Sequence, residues 1–348
     1  MFFIIRQKTK KHLKKTTEYI KISNVACRRK EFLLQRIIEM KNIKGSLILL
    51  LTALIWGVAF VAQTSASDTV GSFTFNTARS AIASLFLLVV IGIRALINRK
   101  KTIGSKPVFS KRQTIVGGLI CGVLLCIATN FQQFGIAEYP EGVAASGRAG
   151  FLTSTYVVMV AVVSVFFGKK SHPIVWVSAA GCISGMYLLC LSNGFSGIYK
   201  ADVLLFIGAM CFTAHIIAVS RFPMADGILL SFIQFAVCGA LSAVLMLIFE
   251  HRVDISSILA IKVELLYAGI MSSGIAYTLQ ILGQKYADPA VASIVLSLES
   301  VFSALAGWVI LSERLSPKEL AGCALVFASV IMAQMPEFIK DKNKKAKF

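Results

Sequence analysis

Residues 289–335 read PAVASIVLSLESVFSALAGWVILSERLSPKELAGCALVFASVIMAQM, two apolar runs joined by the charged turn Ser312-Glu313-Arg314-Leu315-Ser316-Pro317. Each run is about 18–22 residues, enough at ~1.5 Å per residue to cross the ~30 Å hydrocarbon layer of a bilayer. A turn this short predicts an antiparallel hairpin of membrane helices. Glu299 sits ten positions into the first run, roughly 15 Å deep by the same rise. A carboxyl at that depth is costly in lipid, so it is expected to face protein or water.

The rest of the chain repeats this pattern. Of 348 residues, 56% are hydrophobic and 15% charged, with the apolar residues gathered in bilayer-length blocks. Ten crossings are expected, at about 47–65, 73–93, 115–137, 143–167, 174–192, 202–220, 228–249, 263–282, 289–310 and 319–335. The fold class is therefore all-α and integral to the membrane. A net charge of +19 raises nucleic acid as a partner. The basic residues lie between apolar blocks and at both ends, however, as in cytoplasmic membrane loops, so no nucleic acid is expected and the lipid bilayer is the partner. Of eight cysteines, seven lie inside apolar blocks and none forms C-x-x-C. They read as small packing residues, neither metal ligands nor a disulfide framework.

Residues 1–44 form a basic extension with 13 Lys/Arg and three acidic residues. The extension is not a signal peptide, because its short apolar start precedes the charges. Met40, followed at once by Lys41 and the apolar block, is the expected translation start. With the N-terminus inside, nine Lys/Arg of the first half fall in inside connections and none outside. The tail 337–348 adds five lysines on the same side. The second half reverses the bias, with Arg221 and Lys285 inside but Lys200, Arg252, Lys262, Arg314 and Lys318 outside. The first half and the tails dominate, placing both termini in the cytoplasm of a multi-pass plasma-membrane protein.

An internal repeat accounts for the reversal. Gln132-Gln133-Phe134-Gly135 leads through Tyr139 to Ala145-Ser146, as Gln280-Ile281-Leu282-Gly283 leads through Tyr286 to Ala292-Ser293. The stretch from Gly168 to Pro173 likewise corresponds to Ser312 through Pro317. Two five-helix repeats, 45–192 and 200–336, must lie inverted because five is odd. Inverted repeats are a transporter signature, with the substrate site near the midplane where the halves meet.

Leu298-Glu299-Ser300-Val301-Phe302, Ala306-Gly307-Trp308, Ser312-Glu313-Arg314-Leu315-Ser316 and Ala321-Gly322 resemble the end of an EamA-type domain of the drug/metabolite transporter superfamily. Ser300 replaces that family's frequent proline, which should leave the helix less kinked, and Ser312 replaces its frequent glycine. Gly147-Arg148-Ala149-Gly150-Phe151 resembles a subgroup with a basic residue at the second position, and Tyr156 stands where other members have proline. Trp56-Gly57 resembles the family's first-helix pair. The likeness implies a secondary transporter of amino acids, nucleosides, sugars, polyamines or drugs.

Three full charges lie inside the spans. Arg79 and Arg148 either snorkel to the outer head groups, Arg79 toward Asp68, or form an electropositive vestibule for an anionic substrate group. Glu299 is either a packing carboxyl or a proton-coupling or substrate-ammonium group. His215 is either a satisfied packing histidine or part of a proton relay. Gln132, Gln133, Tyr277 and Gln280 either glue helices together or line a pore, with Gln132 and Gln280 at equivalent repeat positions. Trp56 would shape the cavity, and Tyr156 joins the candidate lining. There is no P-loop and no expected cofactor or metal. Expected is an exporter of a small amino-acid-like solute or drug working by alternating access, as a monomer or homodimer and not an enzyme. An integral-membrane lipid-head-group enzyme or a lipid-carrier flippase on the same fold is the alternative.

Overall fold

The structure is a computed structural model that describes residues 43–100, 109–166, 173–190, 199–250, 254–287, 289–313 and, with gaps, 316–332. The basic extension up to residue 42, the tail and the Gly168–Pro173 connection before Pro173 lie outside the described residues. The chain divides after Lys44, and apart from Ile43 and Lys44, the first two residues of the first helix, the helices described here belong to the unit Gly45–Phe348. In order they are α1 (Ile43–Ser67), α2 (Ser72–Lys100), α3 (Lys111–Ala137), α4 (Ala145–Ser154), α5 (Tyr156–Phe166), α6 (Pro173–Cys190), α7 (Lys200–Ser220), α8 (Gly227–Phe249), α9 (Ile255–Ala260), α10 (Lys262–Leu266), α11 (Tyr277–Gln284), α12 (Pro289–Leu296) and α13 (Leu298–Ile310). A wide π-helical stretch, Tyr267–Ala276, joins α10 to α11. No strand occurs among the described residues.

Eight helical spans among the described residues are long and apolar enough to cross a bilayer. They match eight of the expected crossings, with α4–α5, α10–α11 and α12–α13 each composite. The expected fifth and tenth crossings fall on α6 and on the short run Leu320–Ser329, neither of which is among those eight spans. Side chains are distributed for lipid rather than water. Leu247 and Val309 are 69% and 75% exposed, while Gln63, Asn76, Arg79, Asn130, Gln234 and Glu299 are buried. Apolar side chains lose nothing by facing lipid, whereas polar ones need protein partners.

Two of the composite spans break in the same way. Between α4 and α5, Thr155 donates its hydroxyl to the Leu152 carbonyl at 2.6 Å; between α12 and α13, Ser297 donates to Ile294 at 2.7 Å. Ser300 and Ser303 continue this ladder onto the carbonyls of Ser297 and Ser300. Such back-bonding competes with the helical ladder and bends it. The helix is thus interrupted at Ser297 although the family's proline is missing, because serines supply the bend. Close packing surrounds the same segment. A methyl at Gly57 would collide with Phe302 and Ser303, and one at Gly150 with the Ser303 hydroxyl, so α1 and α4 both press against α13.

The helix ends gather at two faces. At the first, Ser110 bonds Met224, Arg94 pairs with Asp226, and Lys285 donates to the Ala225 carbonyl. This joins the end of α2, the start of α3, the α7–α8 turn and the end of α11. At the second, Glu250 binds Phe73 and Thr74, Asp202 binds Tyr139 and Arg148, and Glu313 binds Ser146. Here the starts of α2, α4 and α7 meet the ends of α3, α8 and α13.

A polar cavity at the helix breaks

Between the two faces, side chains from seven spans enclose a cavity of about 30 Å³. A single water needs roughly 10–15 Å³ on this scale, so the space is closed down to solvent size. α1 contributes Trp56, Ala59, Phe60 and Gln63, whose 3-4-7 spacing puts them on one stripe. Arg79 comes from α2, Gln132 from α3, and Phe212 and Ile216 from α7. Thr153 and Tyr156 flank the Thr155 break, Glu299 follows the Ser297 break, and Ser272, Tyr277 and Gln280 come from the π-helical stretch and α11. The interruptions bring polar side chains together where a straight helix would present only a ridge.

Arg79 is 3% exposed, and its guanidinium donates to Gln63 Oε1 at 3.2 Å and Ser273 Oγ at 3.3 Å. It bonds these neutral partners rather than Asp68, and among the described residues no carboxylate pairs with it. Glu299, equally buried, accepts a long contact of 3.4 Å from Ser154 Oγ. The Tyr156 hydroxyl lies near this carboxyl but outside hydrogen-bonding geometry, and Gln280 Oε1 is likewise without a partner. The aromatic wall is held firmly. Trp56 packs on Tyr277 with ring centres 4.6 Å apart and donates Nε1 to the Ser272 carbonyl at 3.2 Å, while Phe235 and His215 meet Tyr277 edge-on. What results is a packed aromatic side, one buried cation, one buried carboxyl and two polar atoms without partners, Tyr156 Oη and Gln280 Oε1, on a shared space.

The sequence profile of the EamA-like transporter family matches residues 43–191 and again 199–335. The chain belongs to the EamA-like transporter family. It is 29% identical over 298 residues to a protein of Archaeoglobus fulgidus described as an uncharacterized transporter, covering 85% of this chain and 87% of that one. A solved crystal structure with 21% identity superimposes with a TM-score of 0.64, covering 84% of this chain and 97% of the other. At that identity the likeness is one of fold. The protein is a multi-pass membrane transporter.

Within this EamA-like fold, Trp56, Arg79, Gln132, Tyr156, Tyr277, Gln280 and Glu299 line the cavity. Gln133, Arg148 and His215 do not. Gln133 donates Nε2 to the Gln63 carbonyl at 3.2 Å, behind the lining. His215 is bonded to Gln234 at 3.1 Å and supports Tyr277 from outside. Arg148 sits at the second face, paired with Asp202 at 2.6 Å and stacked over Tyr199. Sequence reasoning passed over Gln63, Thr153 and Ser272. The spacing of Gln63 from Trp56 was the available signal; Thr153 lies one turn from Gly150 and Tyr156, and nothing marked Ser272.

Proposed function

We propose that the protein carries a small zwitterionic, amino-acid-like solute across the plasma membrane by alternating access, with export as the direction. What supports this most is one observation: a guanidinium, Arg79, and a carboxyl, Glu299, are buried on the same cavity and neither forms an ion pair among the described residues. An unpaired buried charge costs several kcal/mol. A solute with a carboxylate and an ammonium would satisfy both at once, Arg79 taking the first and Glu299 the second. Trp56 and Tyr277 would wall its side chain, and Gln280 Oε1 would accept a further N–H. A cavity of about 30 Å³ is too small for such a solute, so loading requires the lining to part, and the interrupted helices are where it would yield.

The scaffold supports the same reading. Helices in corresponding places of the two halves run oppositely between the faces: α2 against α8, α3 against α10–α11, and α4–α5 against α12–α13. This favours two inverted repeats of five helices, 45–192 and 200–336, with both termini cytoplasmic and the first face inside. Ten helices suffice for a monomer, and a homodimer of complete carriers would work the same way.

The test is flux in proteoliposomes given a mixture of ¹⁴C-labelled proteinogenic amino acids. Glu299→Gln and Arg79→Gln are each expected to lose about tenfold or more, as for one charge-assisted contact, at wild-type insertion. Full flux in both variants would remove the site. Wild-type flux of neutral solutes with none of amino acids would remove the substrate class.

A further inference from the structure

Beyond Gln280, toward the first face, the space between α7 and α11 opens again. Ile216 and Gln280 wall the central cavity; one turn further on, Val219 and Phe222 face Ile281, Gln284 and Lys285 across a second pocket of about 240 Å³. Gln284 follows Gln280 at i+4 and so lies on the same side of α11. Only 6% of Gln284 is exposed, yet neither its amide oxygen nor its amide nitrogen has a hydrogen-bond partner. Buried amides are rarely left with both ends unmet, and here the adjoining space is large enough for the missing partner. Lys285 stands at the rim, donating Nζ to the Ala225 carbonyl at 2.7 Å and lying 5.4 Å from the Phe109 ring centre. Its nearby carboxylate, Asp226, is held by Arg94 at 2.7 Å. The pocket therefore presents a cation, an amide donor and an amide acceptor.

We propose that this pocket is a second binding station on the transport path, where the solute pauses between the central site and the first face. Gln284 Nε2 and Lys285 take the carboxylate, and Gln284 Oε1 accepts from the ammonium, so both unmet amide atoms are answered by one zwitterion. The station rests on the amino-acid reading of the central site and extends it. α11 then works as a ladder, handing the solute from Gln280 to Gln284 one helical turn apart.

Sided kinetics test it in sealed vesicles of both orientations with the same ¹⁴C-labelled amino acids. Gln284→Leu is expected to raise KM about tenfold for solute offered at the Lys285 face, leaving KM from the opposite face unchanged; the opposite-face value controls for folding. Gln284→Glu should raise it further, since its carboxylate repels that of the solute. An unchanged KM, an equal rise from both faces, or a fall in Gln284→Glu would overturn the station while leaving the central site to its own test. If the wild type moves no amino acid, the central reading fails, and Gln284→Cys still decides the pocket. With each rate divided by that reagent's rate on a free thiol in solution, methanethiosulfonate ethylsulfonate should then modify that cysteine about fivefold faster than the trimethylammonium reagent, from the Lys285 face alone and above the wild-type background. Equal rates or a cationic preference would overturn an anion-accepting pocket.

Discussion

At the second face, three carboxylates from the second half of the chain each grip a helix of the first half. Glu250 accepts from the backbone of Phe73 and Thr74 and from the Thr74 hydroxyl, all within 2.7 Å. Asp202 takes both Arg148 and the Tyr139 hydroxyl, and Glu313 takes Ser146. Glu250 and Glu313 sit at the N-terminal ends of α2 and α4, where backbone N–H groups and the helix dipole favour an anion. Among the described residues the first face has one ion pair between the halves, Arg94–Asp226, with the arginine 35% exposed. Neutral bonds join Ser110, Gln113 and Thr114 to the α7–α8 turn, and beside them lies the 240 Å³ pocket. Charge-assisted bonds from carboxylates to helix N-terminal N–H groups are stronger than neutral ones; a partly exposed ion pair contributes little. The charged contacts between the halves are thus more numerous at the second face than at the first among the described residues. These carboxylates are the natural places to upset that imbalance, and under the proposed alternating access they would have to let go.

The largest effect is expected at Asp202. Arg148 and Asp202 side chains are 15% and 10% exposed, so Asp202→Asn takes the Asp202 carboxylate away from a nearly buried guanidinium, at a cost of about 3 kcal/mol. Thermal unfolding in detergent reads the loss, and thiol labelling of Thr153→Cys from the second face reads the opening. Removing Arg148 as well should restore part of the stability, because the guanidinium that lost the Asp202 carboxylate is then gone too. A double variant as unstable as the sum of the singles would mean that the pair does not latch the face.

Glu250→Gln should follow, at about 1.5–2 kcal/mol, since it turns charge-assisted bonds at the start of α2 into neutral ones. At the first face the effect is smaller and depends on acid. Burial pushes the Asp226 carboxyl up, but Arg94 and the backbone N–H groups of Leu229 and Ile228 outweigh it and hold the group below its ordinary 3.8. A carboxyl held down in the folded state stabilises above its ordinary value, and the contribution fades as pH falls below it. Asp226→Asn should therefore cost about 1 kcal/mol at pH 7 and nothing in strong acid. Stability measured from pH 6 downward tests this; a variant deficit that persists in acid would place the effect elsewhere.

The charges were the most legible part of the site. Arg79 and Glu299 stand out because a full charge in an apolar run demands a reason, and both face the cavity. Arg148 stood out on the same ground, yet its partner Asp202 lies 54 residues away on another helix, a contact that depth counting does not reveal. Gln63 was hidden because an i+7 polar residue among alanines and aromatics reads equally well as packing. The helix breaks were hidden for a deeper reason. Neither Thr155 nor Ser297 is a glycine or proline, and a hydroxyl bonds back to its own helix in straight and bent segments alike. What sets the Ser297 break apart is its surroundings, with α1 and α4 pressed onto α13 at Gly57 and Gly150, and that packing is a property of the assembled bundle.

The smallest expected effect sharpens the second-face latch instead of breaking it. α13 ends where Ser312 takes φ of +57°, a left-handed conformation that favours glycine, the family's frequent residue there. That turn brings the Glu313 backbone N–H onto the Gly307 carbonyl at 3.1 Å and aims its carboxylate at Ser146. A residue with a Cβ carries a strain of about 1 kcal/mol in this region, partly offset because glycine loses more freedom on folding. Ser312→Gly should then stabilise the protein by about 0.5 kcal/mol, and the gain should shrink in a Glu313→Gln background if the turn matters through the latch. An equal gain in both backgrounds would mean relief of local strain alone, and Glu313 would then owe its position to the packing of Gly307 against Ser146.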